Sequence, residues 1–251
     1  MRIAVLADIH GNVLALDAVL ADLERRGGAD ILVNAGDLVS GPLWPAETMA
    51  RLARLDAVAV RGNHDRRVAG DPGDPMGPSD RYAFDRLSDA QRAALGALPL
   101  VATPAPGVGV FHARPDHDEK YLADAVVDGR LVRAPLAAID RRLAAADPSW
   151  RILIAGHSHR PDLIRLPDGR VLFNPGSVGN PAYRDGAAPA HVSESGSPLA
   201  RYGLVDVGAD ADAAVFLSLA VPYDHAAAAA RADAGGRPEW AHALRTGFMP
   251  R

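Results

Sequence analysis

The segment Ile152-Leu153-Ile154-Ala155-Gly156-His157-Ser158-His159 starts as a short apolar run and closes on two imidazoles one residue apart. Such a run reads as a buried strand, and the glycine where it stops lets the backbone turn tightly. Four other stretches share this form: Ile3-Ala4-Val5-Leu6-Ala7-Asp8-Ile9-His10, Ile31-Leu32-Val33-Asn34-Ala35-Gly36-Asp37, Val58-Ala59-Val60-Arg61-Gly62-Asn63-His64-Asp65 and Val108-Gly109-Val110-Phe111-His112. Each delivers an oxygen or imidazole donor at the carboxyl end of a strand, the edge where open α/β sheets bind ligands. Asp8 and His10, like His157 and His159, are two residues apart. In extended backbone both members of a pair point to one face, which makes two bidentate clips. Gly36, Gly62 and Gly156 stand directly before candidate ligands, where a missing Cβ permits close approach to an ion.

Working outward, apolar runs alternate with helical patterns, the signature of an α/β fold. Helices are expected from Val13 to Leu23, ending at Gly27-Gly28, then over Pro45 to Leu55, Leu87 to Leu98 and Pro135 to Ala146. Leu163 to Leu166 and Arg170 to Phe173, around Pro167-Asp168-Gly169, read as a hairpin. Arg201 to Val207 and Ala214 to Val221 read as strands, and helices from about Asp224 and Pro238 close the chain. Residues 70 to 80 and 176 to 198 have loop composition.

Composition removes several chemistries. The 251 residues contain no cysteine, so disulfide scaffolds, thiolate metal sites and cysteine nucleophiles are excluded. The single lysine, Lys120, sits in Asp-Glu-Lys-Tyr, which rules out a phosphate-binding Walker loop. With 27 basic and 31 acidic residues the net charge is −4, so neither a nucleic-acid polymer nor a membrane surface is an expected partner. The apolar run at the start is far shorter than the ~18 residues of a membrane span and reads as a strand, which makes the cytoplasm the expected compartment. A donor set of carboxylate, amide and imidazole without thiolate suits Mn²⁺, Fe²⁺, Zn²⁺ or Co²⁺ rather than a calcium cage, and Mn²⁺ is favoured.

Singly these signals are weak, but five in order, each after an apolar strand, are specific. The pattern resembles the calcineurin-like metallophosphoesterase superfamily, whose blocks read D-x-H, G-D, G-N-H-[DE], H and G-H-x-H. The wording is similar to a small bacterial phosphodiesterase-like branch, through Gly41-Pro42-Leu43-Trp44-Pro45, Asn174-Pro175-Gly176-Ser177-Val178-Gly179 and Val221-Pro222-Tyr223-Asp224-His225. The resemblance runs through the tail, so residues 1–251 are expected to form a single domain. It implies a four-layer α/β/β/α sandwich with two divalent metal ions at the strand ends. Asp8, His10 and His159 would hold one ion, Asn63, His112 and His157 the other, and Asp37 would bridge them.

The resemblance also implies hydrolysis of a small-molecule phosphoester by in-line attack of a metal-bridging hydroxide. His64 would protonate the leaving oxygen. Asp65 is the candidate to orient His64, and Arg61 a candidate phosphate contact. His117 and His191 lie in loop-like segments and could approach a substrate. Gly36-Asp37-Leu38-Val39-Ser40-Gly41 lacks the second aspartate and the arginine of the G-D-x-x-D-R-G form, which argues against a phosphoprotein phosphatase. A dinucleoside polyphosphate hydrolase or a phosphoprotein phosphatase on the same site, and a catalytically silent scaffold of the same fold, are the alternatives.

Overall fold

In β1 (Arg2–Leu6) Ile3 and Val5 face one side and Ala4 and Leu6 the other, and all four are fully buried. A strand that is apolar on both faces needs cover on both. The computed structural model, which describes residues 1–70, 75–208 and 213–251, provides it with four layers. One sheet runs in the order β14 (Val215–Val221), β13 (Ala200–Asp206), β1, β2 (Ile31–Asn34) and β3 (Ala57–Ala59). The other runs β4 (Val101–Ala105), β5 (Val108–Phe111), β8 (Ile152–Ile154), β10 (Val171–Asn174) and β9 (Asp162–Arg165). Ile3, Val5 and Val33 interleave between the sheets with Val110, Ile154 and Phe173.

Outside the first sheet, Ala4 and Leu6 meet Leu16 and Val19 of α1 (Val13–Arg25). Outside the second, Phe111, Leu153 and Leu172 meet Ile139 of α6 (Leu136–Arg142). Each sheet contains three neighbouring parallel strands: β1, β2 and β3 run together, as do β5, β8 and β10. Their carboxyl ends therefore open on one edge of the sandwich, and the five donor-bearing turns follow β1, β2, β3, β5 and β8.

Several segments differ from the sequence reading. Residues 176–198 hold a hairpin, β11 (Ala182–Asp185) and β12 (His191–Glu194), rather than a continuous loop. It joins β6 (Asp124–Val127) and β7 (Arg130–Arg133) in a third, four-stranded sheet. Asn63–Val68 forms α3, and Pro78–Phe84 forms α4, so the expected loop at 70–80 gives way to helix at its end; residues 71–74 of it lie outside the described residues. α2 (Pro45–Leu52) stops before the expected Leu55. α5 (Asp89–Gly96) is capped at Ser88, whose hydroxyl accepts from the Gln91 N–H. Two closing helices, α7 (His225–Ala234) and α8 (Pro238–Thr246), pack through Ala228, Ala232 and Leu244 onto Leu43, in the loop after β2.

Candidate metal centre

Asp8, His10, Asp37, His157 and His159 all have positive φ, between 51° and 69°. Left-handed backbone is uncommon for such residues and clusters at functional turns. The clips are therefore not made by the pleat of a strand, as the two-residue spacing suggested. β1 ends at Leu6 and β8 at Ile154, and the donors project from tight turns beyond them. Asp8 and His10 do converge, together with His159, but His157 joins Asp37 and His112 in a second group. The glycines act through close approach as well as turning. A Cβ on Gly62 would lie 2.1 Å from Asp37 Oδ1, and one on Gly36, at φ +97°, 2.7 Å from Gly62 N.

Three imidazoles have one nitrogen committed to the backbone. Nδ1 of His10, His159 and His112 donates to the carbonyls of Ser40, Asn180 and Ala35, each at 2.7 Å. In a neutral ring that fixes the tautomer and leaves Nε2 as a bare lone pair. The Nε2 atoms of His10 and His159 nevertheless face each other at 3.1 Å, with Asp8 Oδ1 3.3 Å from the latter. Burial and the neighbouring His159 push His10 down to about 4, so a proton is a poor way to reconcile them. Nε2 of His112 lies 3.2 Å from both Asn63 Oδ1 and Asp37 Oδ2. Burial opposes a charge on His112, but with protein charges alone Asp37 outweighs it and lifts the ring to about 10. His157 is pushed down to about 3 by burial and by His112. A divalent cation would join the facing acceptors of the first group and take the place of the His112 proton in the second, and Asn180 Oδ1, buried without a protein partner on the wall of the same cavity, adds a further polar atom. The residues thus fit two cations. Asp37 Oδ2, 3.2 Å from His112 Nε2 and 3.7 Å from His10 Nε2, stands between the groups.

His64 borders the same cavity, of about 380 Å³, and its side chain is 29% exposed where the candidate ligands are mostly sealed. Its Nδ1 meets Asp80 Oδ1 at 2.6 Å, and the Ser40 hydroxyl donates to the same carboxylate oxygen at 2.6 Å. Burial opposes a charge on His64, but Asp37 and the Asp80 hydrogen bond outweigh it and raise the ring to about 9. Asp80 is thus the carboxylate that orients His64, and the sequence reading missed it. Asp65, expected in that place, is turned away: it accepts from the N–H groups of Asp37, Leu38 and Gly62 at 2.8, 2.9 and 2.9 Å, which pins the Asp37 turn to the start of α3.

Arg61 also falls elsewhere. It sits 3.6 Å from Asp118 and is absent from the described cavity wall, whose guanidinium groups are Arg67, Arg184 and Arg237. His191 is buried in β12 against the Tyr121 hydroxyl at 2.8 Å, and His117 Nδ1 accepts the Glu119 N–H, so neither approaches substrate as a free loop side chain.

Buried carboxylates and imidazoles gathered at the strand ends of a two-sheet sandwich form a centre suited to divalent cations. Consistent with that, the model of the calcineurin-like phosphoesterase family matches residues 1–161, and the chain belongs to this family. An uncharacterized protein of Methanocaldococcus jannaschii is 30% identical over 210 residues, covering 73% of this chain and 78% of the relative. A metallophosphoesterase from Sphaerobacter thermophilus has a similar fold, with a TM-score of 0.73 at 24% identity over 99% of both chains. A hypothetical protein from Pyrococcus horikoshii OT3 is similar at a TM-score of 0.70 and 21% identity, again over 99% of both. Among the described residues no helix is long and apolar enough to cross a membrane.

Proposed function

We propose that this phosphoesterase is a dinuclear hydrolase of small phosphate esters, with Asp8, His10 and His159 on one cation, Asn63, His112 and His157 on the other, and Asp37 shared. The observation that carries this reading is the facing of the His10 and His159 Nε2 atoms at one point, with Asp37 Oδ2 standing between that point and the His112 Nε2 of the adjacent group. When bound, two divalent ions, with Mn²⁺ favoured, supply positive charge that polarises a phosphoryl group and acidifies water. The protein's own groups do the rest. Backbone carbonyls at the Nδ1 atoms fix the imidazole orientations, so little reorganisation is needed as charge develops. Asp80 holds His64 by Nδ1 and leaves Nε2 to donate a proton to the departing oxygen.

Ser40 and Gly41 occupy the places of the aspartate and arginine in the protein-phosphatase form, and Ser40 spends its hydroxyl proton on Asp80. The expected substrates are therefore small, exposed esters. Metal-stripped protein should hydrolyse a bis-aryl phosphate only after Mn²⁺ is restored, with kcat/KM above that for phosphopeptides. No hydrolysis of any small ester, or a clear preference for phosphopeptides, contradicts the proposal.

A further inference from the structure

The cavity over the candidate metal groups is closed on one side by α8, which lies outside residues 1–161 matched by the family. Trp240 of that helix is half-buried and lines the cavity, its ring centroid 6.0 Å from that of His10 at an interplanar angle of 69°. It is seated firmly against the turn bearing His10. A Cβ on Gly41 would lie 3.2 Å from Trp240 Cη2 and 2.5 Å from the His10 carbonyl oxygen, so the glycine is what admits the indole. Beneath α8, Leu43 anchors the helix, and Arg237 at its start reaches Ser79 Oγ at 3.1 Å.

Rim charge argues about what the rest of the substrate is. Arg67 is paired with Glu119 and Arg237 with Glu239, while Arg184 is followed by Asp185, all of them lining the cavity. Two of these three rim guanidinium groups are thus matched by a carboxylate, and the third, Arg184, donates to the Pro250 carbonyl oxygen at 2.9 Å. A chain of further phosphates would gain little attraction there, beyond that of the cations themselves. A cavity of about 380 Å³ is within the range of small-molecule sites and has room for a ring system beside one phosphoryl group.

We propose that Trp240 is the stacking face for a neutral, planar group esterified to the phosphate, which makes the substrates single-phosphate esters of aromatic or heteroaromatic groups rather than polyphosphates. This rests on the phosphoester reading above and adds to it a residue that sets specificity. Stacking on an aromatic side chain contributes about 1–3 kcal/mol by alanine substitution, or about 5- to 150-fold in affinity.

The test is equilibrium binding of phenylphosphonate and methylphosphonate, two non-hydrolysable probes, to the Mn²⁺-loaded protein by calorimetry. Wild type should bind the phenyl probe about tenfold tighter or more. Trp240→Ala should bring the ratio to within about twofold while methylphosphonate affinity holds, and Trp240→Phe should retain most of the preference. A ratio unchanged in Trp240→Ala, or lost equally in the correctly folded Trp240→Phe, overturns the assignment and leaves the phosphoester reading standing. Binding of neither probe by wild type overturns both. Faster turnover of a dinucleoside tetraphosphate than of phenyl phosphate overturns the single-phosphate class.

Discussion

Asp37→Ala is expected to lower bound Mn²⁺ from about two equivalents per chain to one or fewer, and to cut kcat/KM on a bis-aryl phosphate by ~10³-fold or more. The reason is that Asp37 Oδ2 lies near imidazoles of both groups, at 3.2 Å from His112 and 3.7 Å from His10. A metal pair supplies several kcal/mol to the transition state, and each ~1.4 kcal/mol is a factor of ten in rate. Its other oxygen accepts the His64 N–H at 3.0 Å, so the variant also loosens the turn that carries the proposed acid. Elemental analysis after desalting measures the first effect and steady-state kinetics the second. Thermal unfolding gives a third readout, because ligands that bind only the folded state raise its midpoint, and the rise on adding Mn²⁺ should shrink in the variant. Two tightly held equivalents and unimpaired turnover in Asp37→Ala contradict the shared-ligand assignment.

Asn63 and His64 are neighbours with different assigned work, which makes their variants diagnostic. Asn63→Ala should weaken occupancy of the second metal position. His64→Ala should leave both ions bound and slow turnover by ~10²–10⁴-fold for esters whose leaving group departs as an alkoxide. With nitrophenolate, which needs no proton to leave, the defect should shrink strongly. Asp80→Asn should show the same leaving-group dependence at smaller amplitude, since it keeps the shape at 2.6 Å from Nδ1 but removes the charge that favours the imidazolium. A structural role for Asp80 would slow both ester types alike. Equal losses across leaving groups, or loss of metal on replacing His64, return both residues to structural parts.

How much of this was legible depends on where the chain hides its information. The parallel strands were readable because both faces are buried and the sequence is a continuous apolar run, as in Ile3 to Ala7 and Ile152 to Ile154. β4 was not, since Pro104 weakens the pattern; the strand is an edge of its sheet, where a missing donor is tolerated, and its register shifts between Ala102 and Ala105. β6 and β7 carried a usable signal in Asp128-Gly129, both at positive φ, the pair that suits a two-residue hairpin turn. The short strands β11 and β12 are rich in polar residues and take their cover from α8 and Met249, which no local pattern announces.

At the site, residue types at the strand ends could be read from the runs themselves, but their grouping came only from the family resemblance and not from spacing. Which cluster His157 joins is decided by left-handed turns at His157 and His159 that spacing does not encode. Asp80 was invisible for a different reason. It lies across a glycine- and proline-rich stretch from His64, and what identifies it is the tertiary meeting of α4 with Ser40. Its one local sign is its place three residues after Gly77, where its other oxygen accepts the Gly77 N–H at 3.3 Å. Trp240 is likewise brought to the site by the packing of α8 on Leu43, a contact between segments nearly two hundred residues apart in sequence.

Whether two cations share Asp37 can be read from an anomalous difference map of crystals of the Mn²⁺-loaded protein. Two peaks about 3.5–4 Å apart are expected, one beside Asp8, His10 and His159, the other beside Asn63, His112 and His157, with the Asp37 carboxylate touching both. A single peak at saturating Mn²⁺, or two peaks with Asp37 bound to only one, would contradict the shared site.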